Sequence, residues 1–319
     1  MKQNEKLLQN IPTNLITGFL GVGKTSAILH LISQKPTNEK WSVLVNEFGS
    51  VGIDGAIYKA KGIAVKEIPG GCMCCAAGVP LQIAINRILK ETRPQRLLIE
   101  PSGLGHPKRV LDTLRGQYFK EALSLKASIC LLDPRNLLDE RYTTHENFID
   151  QIALADIVVA NKTDLCDSDT LTHFNRYIEA LQPAKQKITE TQFGQLNASL
   201  LDYNPTSNRN AQFPDFHQTT NKKTGIAGKD GYHSEGWVFS EEQIFDFDKI
   251  TLLFAQFGTI RIKAILKTNK GWKMFNIQNK QKEVTAIDSA EDSRLEIISR
   301  NQQRLNKEAL DQQLNHCLI

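Results

Sequence analysis

The sequence predicts an α/β fold with a doubly wound, mainly parallel sheet, followed by a smaller α+β domain. Two observations support this prediction. Over the first two-thirds of the chain, short runs rich in Val, Ile and Leu alternate with amphipathic segments. Such alternation is typical of a parallel sheet that helices bury on both faces. The alternation stops near residue 200, and a second, shorter set of strand-like and helix-like segments begins near residue 232.

Each predicted element of the first part has a local signal. The strands are short apolar runs, and the helices carry apolar side chains three and four residues apart. The predicted strands are residues 15–17, 41–45, 64–68, 97–99, 128–132 and 157–160. The predicted helices are residues 25–33 and 79–89.

The second part is separated from the first by a polar stretch. Residues 202–231 are dominated by Asn, Thr, Lys, Gly, Pro and Gln, a composition typical of a loop or linker. We therefore expect a first domain at 1–205, a linker at 206–231 and a C-terminal domain at 232–319. The elements predicted there are strands at 236–239, 259–267, 272–277 and 295–299, with helices at 248–257 and 306–317.

Composition and charge exclude some classes of function. The chain has 319 residues, 40% of them hydrophobic and 23% charged, with a formal net charge of +4. That imbalance is too small to predict nucleic acid or a membrane surface as the main partner. The N-terminus lacks an apolar signal segment, and no apolar run approaches the ~18 residues of a membrane span. We therefore expect a cytoplasmic protein.

A glycine-rich loop with the pattern G-x-x-x-x-G-K-[ST] follows the first predicted strand. Its glycines allow backbone N–H groups to face a phosphate at the start of the next helix. We expect Lys24 to contact the β- and γ-phosphates and the Thr25 hydroxyl to ligate Mg²⁺. The predicted phosphate site is Gly18, Phe19, Leu20, Gly21, Val22, Gly23, Lys24 and Thr25.

The predicted strand at 97–99 ends in an acid suited to the same site. Glu100 follows three apolar residues and precedes Ser102 and Gly103, which suit a loop that responds to the γ-phosphate. Asp133, at the end of another apolar run, is a competing candidate. We prefer Glu100 because a glycine-bearing loop follows it directly. Lys24, Thr25 and Glu100 are therefore the predicted catalytic residues, and Thr25 and Glu100 are the predicted Mg²⁺ ligands.

The strand at 157–160 ends in the pattern N-K-x-D, which indicates guanine recognition. Asp164 can accept hydrogen bonds from both N1–H and N2–H₂ of guanine, and adenine offers no such pair of donors. Asn161 would tie the loop together and reach the base, and the Lys162 stem would pack over the purine face. The sequence therefore predicts GTP in preference to ATP.

Three of the six cysteines lie within four residues, after the strand predicted at 64–68. In a cytosolic protein such a cluster indicates metal or redox chemistry rather than a disulfide. Cys72, Cys74 and Cys75 supply thiolates suited to Zn²⁺ or Cu⁺. Three cysteines are one short of a closed structural zinc site. We therefore predict an open or exchangeable site completed by Glu47, a histidine, a water or a partner.

Together these motifs resemble those of the CobW-type family of metallochaperone GTPases, and most closely its zinc-binding YeiR-like members. The matching stretches are GFLGVGKT at 18–25, NEFG at 46–49, GGCMCC at 70–75, EPSGLGHP at 100–107 and QIALADIVVANKTDL at 151–165. The resemblance implies hydrolysis of GTP to GDP and phosphate, coupled to delivery of zinc from the three cysteines to a client metalloprotein. It covers residues 13–200 firmly. In the C-terminal part, where the family often has R-x-K-G, Arg261 and Lys263 are followed by Ala264.

We therefore predict a zinc-binding GTPase that uses GTP/GDP, Mg²⁺ and Zn²⁺ and acts as a metallochaperone, with a metal-dependent homo-oligomer as a further option. The γ-phosphate state would set the conformation of the loops at 46–55 and 70–78 and so the metal affinity. Two alternatives stay open at this point. One is a GTPase that serves cobalt or nickel, and the other is a zinc- and nucleotide-binding regulatory module with little turnover.

Overall fold

The computed structural model describes residues 9–45, 52–67, 79–206, 232–257, 261–278, 281–300 and 306–319. These residues form two compact units. The first unit comprises 9–45, 64–67 and 79–206, and the second comprises 52–63 and the described residues from 232 onward. Among the described helices, none has both the length and the apolar character needed to cross a bilayer.

A parallel sheet forms the centre of the first unit, with eight strands in the described part of the chain. The strands are β1 (Ile11–Thr17), β2 (Trp41–Val45), β3 (Ala64–Glu67), β4 (Arg96–Glu100), β5 (Leu123–Leu125), β6 (Ile129–Leu132), β7 (Ile157–Ala160) and β8 (Lys187–Glu190). Their order is β3-β2-β4-β1-β6-β7-β8, with β5 also paired to β1. The paired strands run parallel. The chain extends from β1 toward both edges of the sheet, so the predicted doubly wound α/β fold is confirmed.

Helices alternate with these strands along the chain. They are α1 (Lys24–Ser33), α2 (Ile53–Ala60), α3 (Val79–Thr92), α4 (Pro107–Arg115), α5 (Glu140–Thr143), α6 (Glu146–Leu154) and α7 (Ser168–Glu179). Of these, α3 and α4 supply apolar residues three and four apart, such as Leu81, Ile85 and Leu114, to a core shared with β1, β2 and β4. Strands β2, β6 and β7 are buried on both faces, which explains why their sequences are largely apolar runs.

The second unit is built on an antiparallel sheet, which has five strands among the described residues. They are β9 (Tyr232–Phe239), β10 (Arg261–Thr268), β11 (Gly271–Gln278), β12 (Gln281–Ala286) and β13 (Ser293–Arg300), in the order β12-β11-β10-β13-β9. Helices α8 (Phe247–Ala255) and α9 (Lys307–Asn315) share a core with residues of this sheet such as Ala264, Phe275 and Leu295. The predicted α+β character is confirmed.

Helix α2 belongs to the second unit, although its sequence lies between β2 and β3. It packs on β10 and β13, and the Asp54 carboxylate forms an ion pair with the buried Lys263. The sequence-based boundaries placed α2 in the first domain, because sequence position alone does not reveal a helix that packs on a sheet formed 200 residues later. The boundaries 1–205, 206–231 and 232–319 stay a prediction, and almost all of the expected linker lies outside the described residues.

Candidate functional site

The glycine-rich loop between β1 and α1 has a backbone that only glycine fits at two positions. Gly18 and Gly23 have φ angles of 139° and 99°. A Cβ on Gly18 would lie 2.4 Å from the carbonyl oxygen of Leu131, and one on Gly23 would lie 2.4 Å from Nδ2 of Asn161. The loop therefore passes tightly over the ends of β6 and β7. It carries the predicted phosphate-site residues 18–25 to the N-terminus of α1, where backbone N–H groups favour an anion.

Lys24, the first residue of α1, folds back over this loop. Its side chain is buried, and Nζ donates hydrogen bonds to the carbonyl oxygens of Gly18 at 2.9 Å and Phe19 at 3.2 Å. A buried ammonium group is costly unless its donors are used. The loop carbonyls therefore hold a positive charge beside the loop, where the sequence predicts the phosphates.

Thr25, at the start of α1, meets Glu100, at the end of β4. The Thr25 hydroxyl donates a hydrogen bond to Oε1 of Glu100 at 3.1 Å. Glu100 is 3% exposed, at the carboxyl end of β4. A hydroxyl and a carboxylate oxygen are hard ligands of the kind that Mg²⁺ prefers. The two side chains therefore fit the predicted Mg²⁺ site, and their role as its ligands stays a prediction.

Asp133, the competing acid, interacts with Arg135 and Lys162. Its carboxylate accepts hydrogen bonds from Nε of Arg135 at 2.9 Å and from Nη2 at 2.7 Å, and Nζ of Lys162 lies 3.6 Å away. The hydrogen bond to this carboxylate raises the pKa of Arg135 above its ordinary value. Asp133 also accepts from the backbone N–H of Arg135 at the start of a 3₁₀ turn. The geometry favours Glu100 over Asp133 as the acid beside Thr25.

The N-K-x-D residues lie on the loop after β7, beside the phosphate loop. Asn161 is 2% exposed; its Nδ2 donates to the carbonyl oxygen of Val22 at 2.8 Å, and its Oδ1 accepts from the N–H of Gly194 at 3.1 Å. Lys162 adopts a left-handed backbone with φ of 64°, and Asp164 lies exposed in the following 3₁₀ turn. The predicted tying role of Asn161 matches these bonds, whereas contact of these residues with a base stays a prediction.

Helix α6 holds the loop that follows Glu100, a role that the sequence analysis missed. Nδ2 of Asn147 donates to the carbonyl oxygen of Leu104 at 2.7 Å. Nε2 of Gln151 donates to the carbonyl oxygens of Gly103 at 3.0 Å and Gly105 at 3.2 Å. Both side chains are buried. Buried amides that donate to a glycine-rich loop fix its path, so Asn147 and Gln151 are candidate positioning residues for the loop after Glu100.

A third polar residue of α6 faces the same loop. Oδ2 of Asp150 lies 3.9 Å from Nδ1 of His106, and Asp150 is buried. The signal available in the sequence was the spacing of Asn147, Asp150 and Gln151, which puts three polar residues on one face of a helix. Polar residues at this spacing usually indicate a solvated face, and only the fold reveals that this face is buried.

The strands that precede two further predicted motifs are in register with Glu100. Val45, the last residue of β2, pairs with Glu100 of β4 on one side and with Glu67 of β3 on the other. Glu47 follows Val45 by two residues, and Cys72 follows Glu67 by five. The last described residues before both motifs therefore lie on strands next to Glu100 or one strand further from it.

The predicted zinc ligands Glu47, Cys72, Cys74 and Cys75 lie outside the described residues, so their prediction stands untested. Within the described ranges, no group of three or more His, Cys, Asp or Glu side chains is placed to hold a metal ion. Burial raises the pKa of Cys130 to about 11, which makes its thiol a poor metal ligand at neutral pH.

The fold and the loop geometry define a class of protein. A parallel sheet whose first strand leads through G-x-x-x-x-G-K-T into a helix, with a buried Lys24 and a Thr25–Glu100 pair, is a P-loop nucleotide-binding domain.

Comparison with known proteins defines the family. The profile of the CobW/HypB/UreG nucleotide-binding domain matches residues 12–189. The zinc chaperone YeiR of Escherichia coli (strain K12) is 42% identical over 308 residues, which cover 90% of this chain and 92% of that protein. This chain belongs to the CobW/HypB/UreG family. It is a P-loop GTPase, so the predicted enzyme class, a GTP hydrolase, is confirmed.

Two further relatives match a smaller part of the chain. The zinc chaperone CobW of Pseudomonas aeruginosa is 31% identical over 231 residues, covering 61% of this chain and 60% of that protein. The zinc-regulated GTPase metalloprotein activator 1 of Schizosaccharomyces pombe is 27% identical over 220 residues, covering 65% and 52%.

Proposed function

We propose that this GTPase binds zinc through Cys72, Cys74 and Cys75 and couples GTP hydrolysis to transfer of that zinc to a client metalloprotein. The observation that carries the proposal is 42% identity to a zinc chaperone across nine-tenths of the chain. The thiolate set supports zinc as cargo, because soft sulfur ligands suit Zn²⁺ better than they suit cobalt or nickel. We expect the protein to act in the cytoplasm.

The nucleotide half of the proposal rests on residues that the structure brings together. Mg²⁺ bound by Thr25 and Glu100 would supply charge that neutralises the phosphate oxygens. Lys24 would exchange its bonds to the Gly18 and Phe19 carbonyls for phosphate oxygens, which keeps its charge compensated. Asn147 and Gln151 would hold the loop after Glu100 in position while the γ-phosphate is present.

Guanine selectivity in this proposal comes from the loop after β7. Asp164 is exposed, and its carboxylate can accept from N1–H and N2–H₂ of a bound guanine. Asn161 links that loop to the phosphate loop through Val22, which supports a fixed distance between the base and the phosphates.

Coupling of hydrolysis to zinc release is supported by the register of the sheet edge. Since Val45 pairs with both Glu67 and Glu100, the Cα atoms of these two acids are separated by two strand spacings, or about 10 Å. The five residues from Glu67 to Cys72 can extend no more than about 17 Å. In this proposal, the segments that carry the predicted zinc ligands leave strands next to the one that ends in Glu100, so one nucleotide-dependent rearrangement at these strand ends would affect both metals.

The test is a comparison of zinc affinity in two nucleotide states. We expect Zn²⁺ competition titrations with a chromophoric chelator to give different dissociation constants with a non-hydrolysable GTP analogue and with GDP. Equal dissociation constants would rule out the coupling, because a ligand that binds two states equally does not change the equilibrium between them. Replacing Cys72, Cys74 and Cys75 with Ser should abolish tight zinc binding, and Cys130→Ala is the matched control, since that buried thiol has a pKa of about 11.

A second measurement separates the chaperone from a regulatory module. Steady-state phosphate release from the zinc-loaded protein should rise when a zinc-accepting client is added. Undetectable turnover with or without an acceptor would favour a module whose nucleotide only stabilises one conformation. The same titrations run with Co²⁺ and Ni²⁺ test the metal, and tighter binding of either would overturn zinc as the cargo.

A further inference from the structure

Phe193, on the loop after β8, combines two unusual features. Its side chain is 67% exposed, although Phe is a large apolar residue. Its φ angle is 54°, in the left-handed region where an aromatic residue is strained. Outside glycine, the described residues with a positive φ are Asn10, Arg93, Lys162 and Phe193. Two of these four lie on the neighbouring loops after β7 and β8, and backbone strain of this kind clusters at ligand-binding sites.

The loop that carries Phe193 is bound firmly to the N-K-x-D loop. The N–H of Gly194 donates to Oδ1 of Asn161 at 3.1 Å. The N–H and the hydroxyl of Thr163 both donate to the carbonyl oxygen of Thr191, at 3.3 Å and 3.1 Å. These bonds on either side of Phe193 keep its strained backbone in place and fix the distance between the two loops.

The same loop also contacts the start of α1. Gly194 has φ of 70°, and a Cβ there would lie 2.8 Å from the backbone nitrogen of Ala27. Gly194 therefore sits against the helix whose N-terminus carries the predicted phosphate site. Phe193 precedes a residue that contacts both α1 and Asn161, so its backbone lies beside the loop of the predicted base site.

We propose that the Phe193 ring forms one wall of the base pocket and stacks on the face of the purine whose edge Asp164 reads. The proposal rests on the proposed assignment of the nucleotide base to residues 161–164. Stacking accounts for both features, because a bound base covers the exposed ring and the left-handed backbone fixes the ring's direction. An aromatic ring stacks on any purine, so Phe193 contributes to affinity, whereas Asp164 discriminates between bases.

The experiment measures nucleotide dissociation constants by calorimetry with the full chain. We expect Phe193→Ala to raise the dissociation constants for GDP and for a non-hydrolysable GTP analogue by about tenfold, the effect of losing one base–aromatic stack. Phe193→Trp should retain the affinity, and its indole fluorescence should change on nucleotide binding. Tyr118→Ala is the matched control, because Tyr118 is 63% exposed in the same unit, and its affinities should equal those of the wild type. Affinities of Phe193→Ala within twofold of the wild type would overturn the proposal.

A second variant separates stacking from a purely structural role. Asn tolerates the left-handed region better than Phe does, so Phe193→Asn should keep or raise the Tm of the nucleotide-free protein while it weakens nucleotide binding. A lower Tm together with weaker binding would assign Phe193 to the fold and overturn the proposal. If the wild type binds ATP and GTP equally, the proposed base selectivity fails while the loss on Phe193→Ala still supports stacking. If the wild type binds no nucleotide, both fail.

Discussion

Buried charged side chains are arranged differently in the two units. In the first unit, Glu100 and Asp133 lie at the carboxyl ends of β4 and β6, and Lys24 lies at the start of α1. In the second unit, Lys263 and Glu296 pair directly across β10 and β13, within the sheet. Asp54 completes that group by its ion pair with Lys263.

The comparison shows that burial of charge does not by itself identify a site. Charges at the carboxyl edge of a parallel sheet can exchange their protein partners for a ligand. Charges within an antiparallel sheet compensate one another and hold elements together, here α2 and the strands β10 and β13. We therefore expect changes in the first group to affect activity and changes in the second to affect stability.

The largest expected effect is on the stability of the second unit. Lys263→Met removes the cation that pairs with Asp54 and faces Glu296 across β10 and β13, and loss of one partner from a buried ion pair costs about 3–5 kcal/mol. Urea unfolding measures this cost, and GTP affinity should not change. Lys270→Met is the control, because Lys270 and its partner Asp248 are exposed, and such pairs contribute no more than about 1 kcal/mol. Similar costs for the two variants would contradict the comparison.

The next effect is on activity in the first unit. Glu100→Gln keeps an oxygen for the Thr25 hydroxyl but removes the charge expected to hold Mg²⁺, so kcat should fall by about 10²- to 10³-fold. Thermal unfolding of the nucleotide-free protein should change little. Glu91→Gln, at an exposed ion pair with Lys66, is the control and should retain full activity. A kcat within a few fold of the wild type in Glu100→Gln would reject Glu100 as the acid of this site.

A smaller effect should combine activity and stability. Gln151→Leu removes the hydrogen bonds to the carbonyl oxygens of Gly103 and Gly105, and a buried polar group left without a partner costs about 1–3 kcal/mol. We expect both a lower Tm and a lower kcat/KM, since the loop after Glu100 loses its support. Gln186→Leu changes an exposed glutamine in the same unit and should alter neither. A lower Tm with unchanged kcat/KM would restrict Gln151 to the fold.

The smallest expected effect concerns how the stability of the second unit depends on pH. Burial raises the pKa of Glu296 above its ordinary value. Its contribution to folding is therefore full below the ordinary pKa of 4.5 and is lost as the pH rises through the higher folded value. Glu296→Gln removes this loss and keeps an acceptor for the Ser234 hydroxyl.

The unfolding free energy of Glu296→Gln minus that of the wild type should be larger at pH 7 than at pH 4. Unfolding free energies measured in urea across that range check the sign. A difference between variant and wild type that does not change with pH would show that Glu296 titrates alike in the folded and unfolded chains.

Local patterns predicted much of the fold. The strands predicted at 41–45 and 157–160 begin and end at the same residues in the structure, because polar residues on either side of a largely apolar run mark its ends. Two edge strands were missed: β8 and β12 are largely polar or exposed, so neither shows a buried-strand pattern. The polar face of α6 was missed for a related reason, since its partners Gly103 and Gly105 are more than 40 residues away in sequence.

The sequence alone determined the phosphate-loop pattern, which depends on spacings within one strand–loop–helix unit, and the order of the motifs along the chain. It left Glu100 and Asp133 as competing acids. Only the tertiary structure decided which side chains meet. Glu100 contacts Thr25 while Asp133 contacts Arg135, Asn161 joins the phosphate loop to Gly194, and α2 packs on a sheet formed 200 residues later. Apart from the local Asp133–Arg135 pair, these contacts join residues that are far apart in sequence, and their positions depend on strand order and register, which local sequence patterns do not encode.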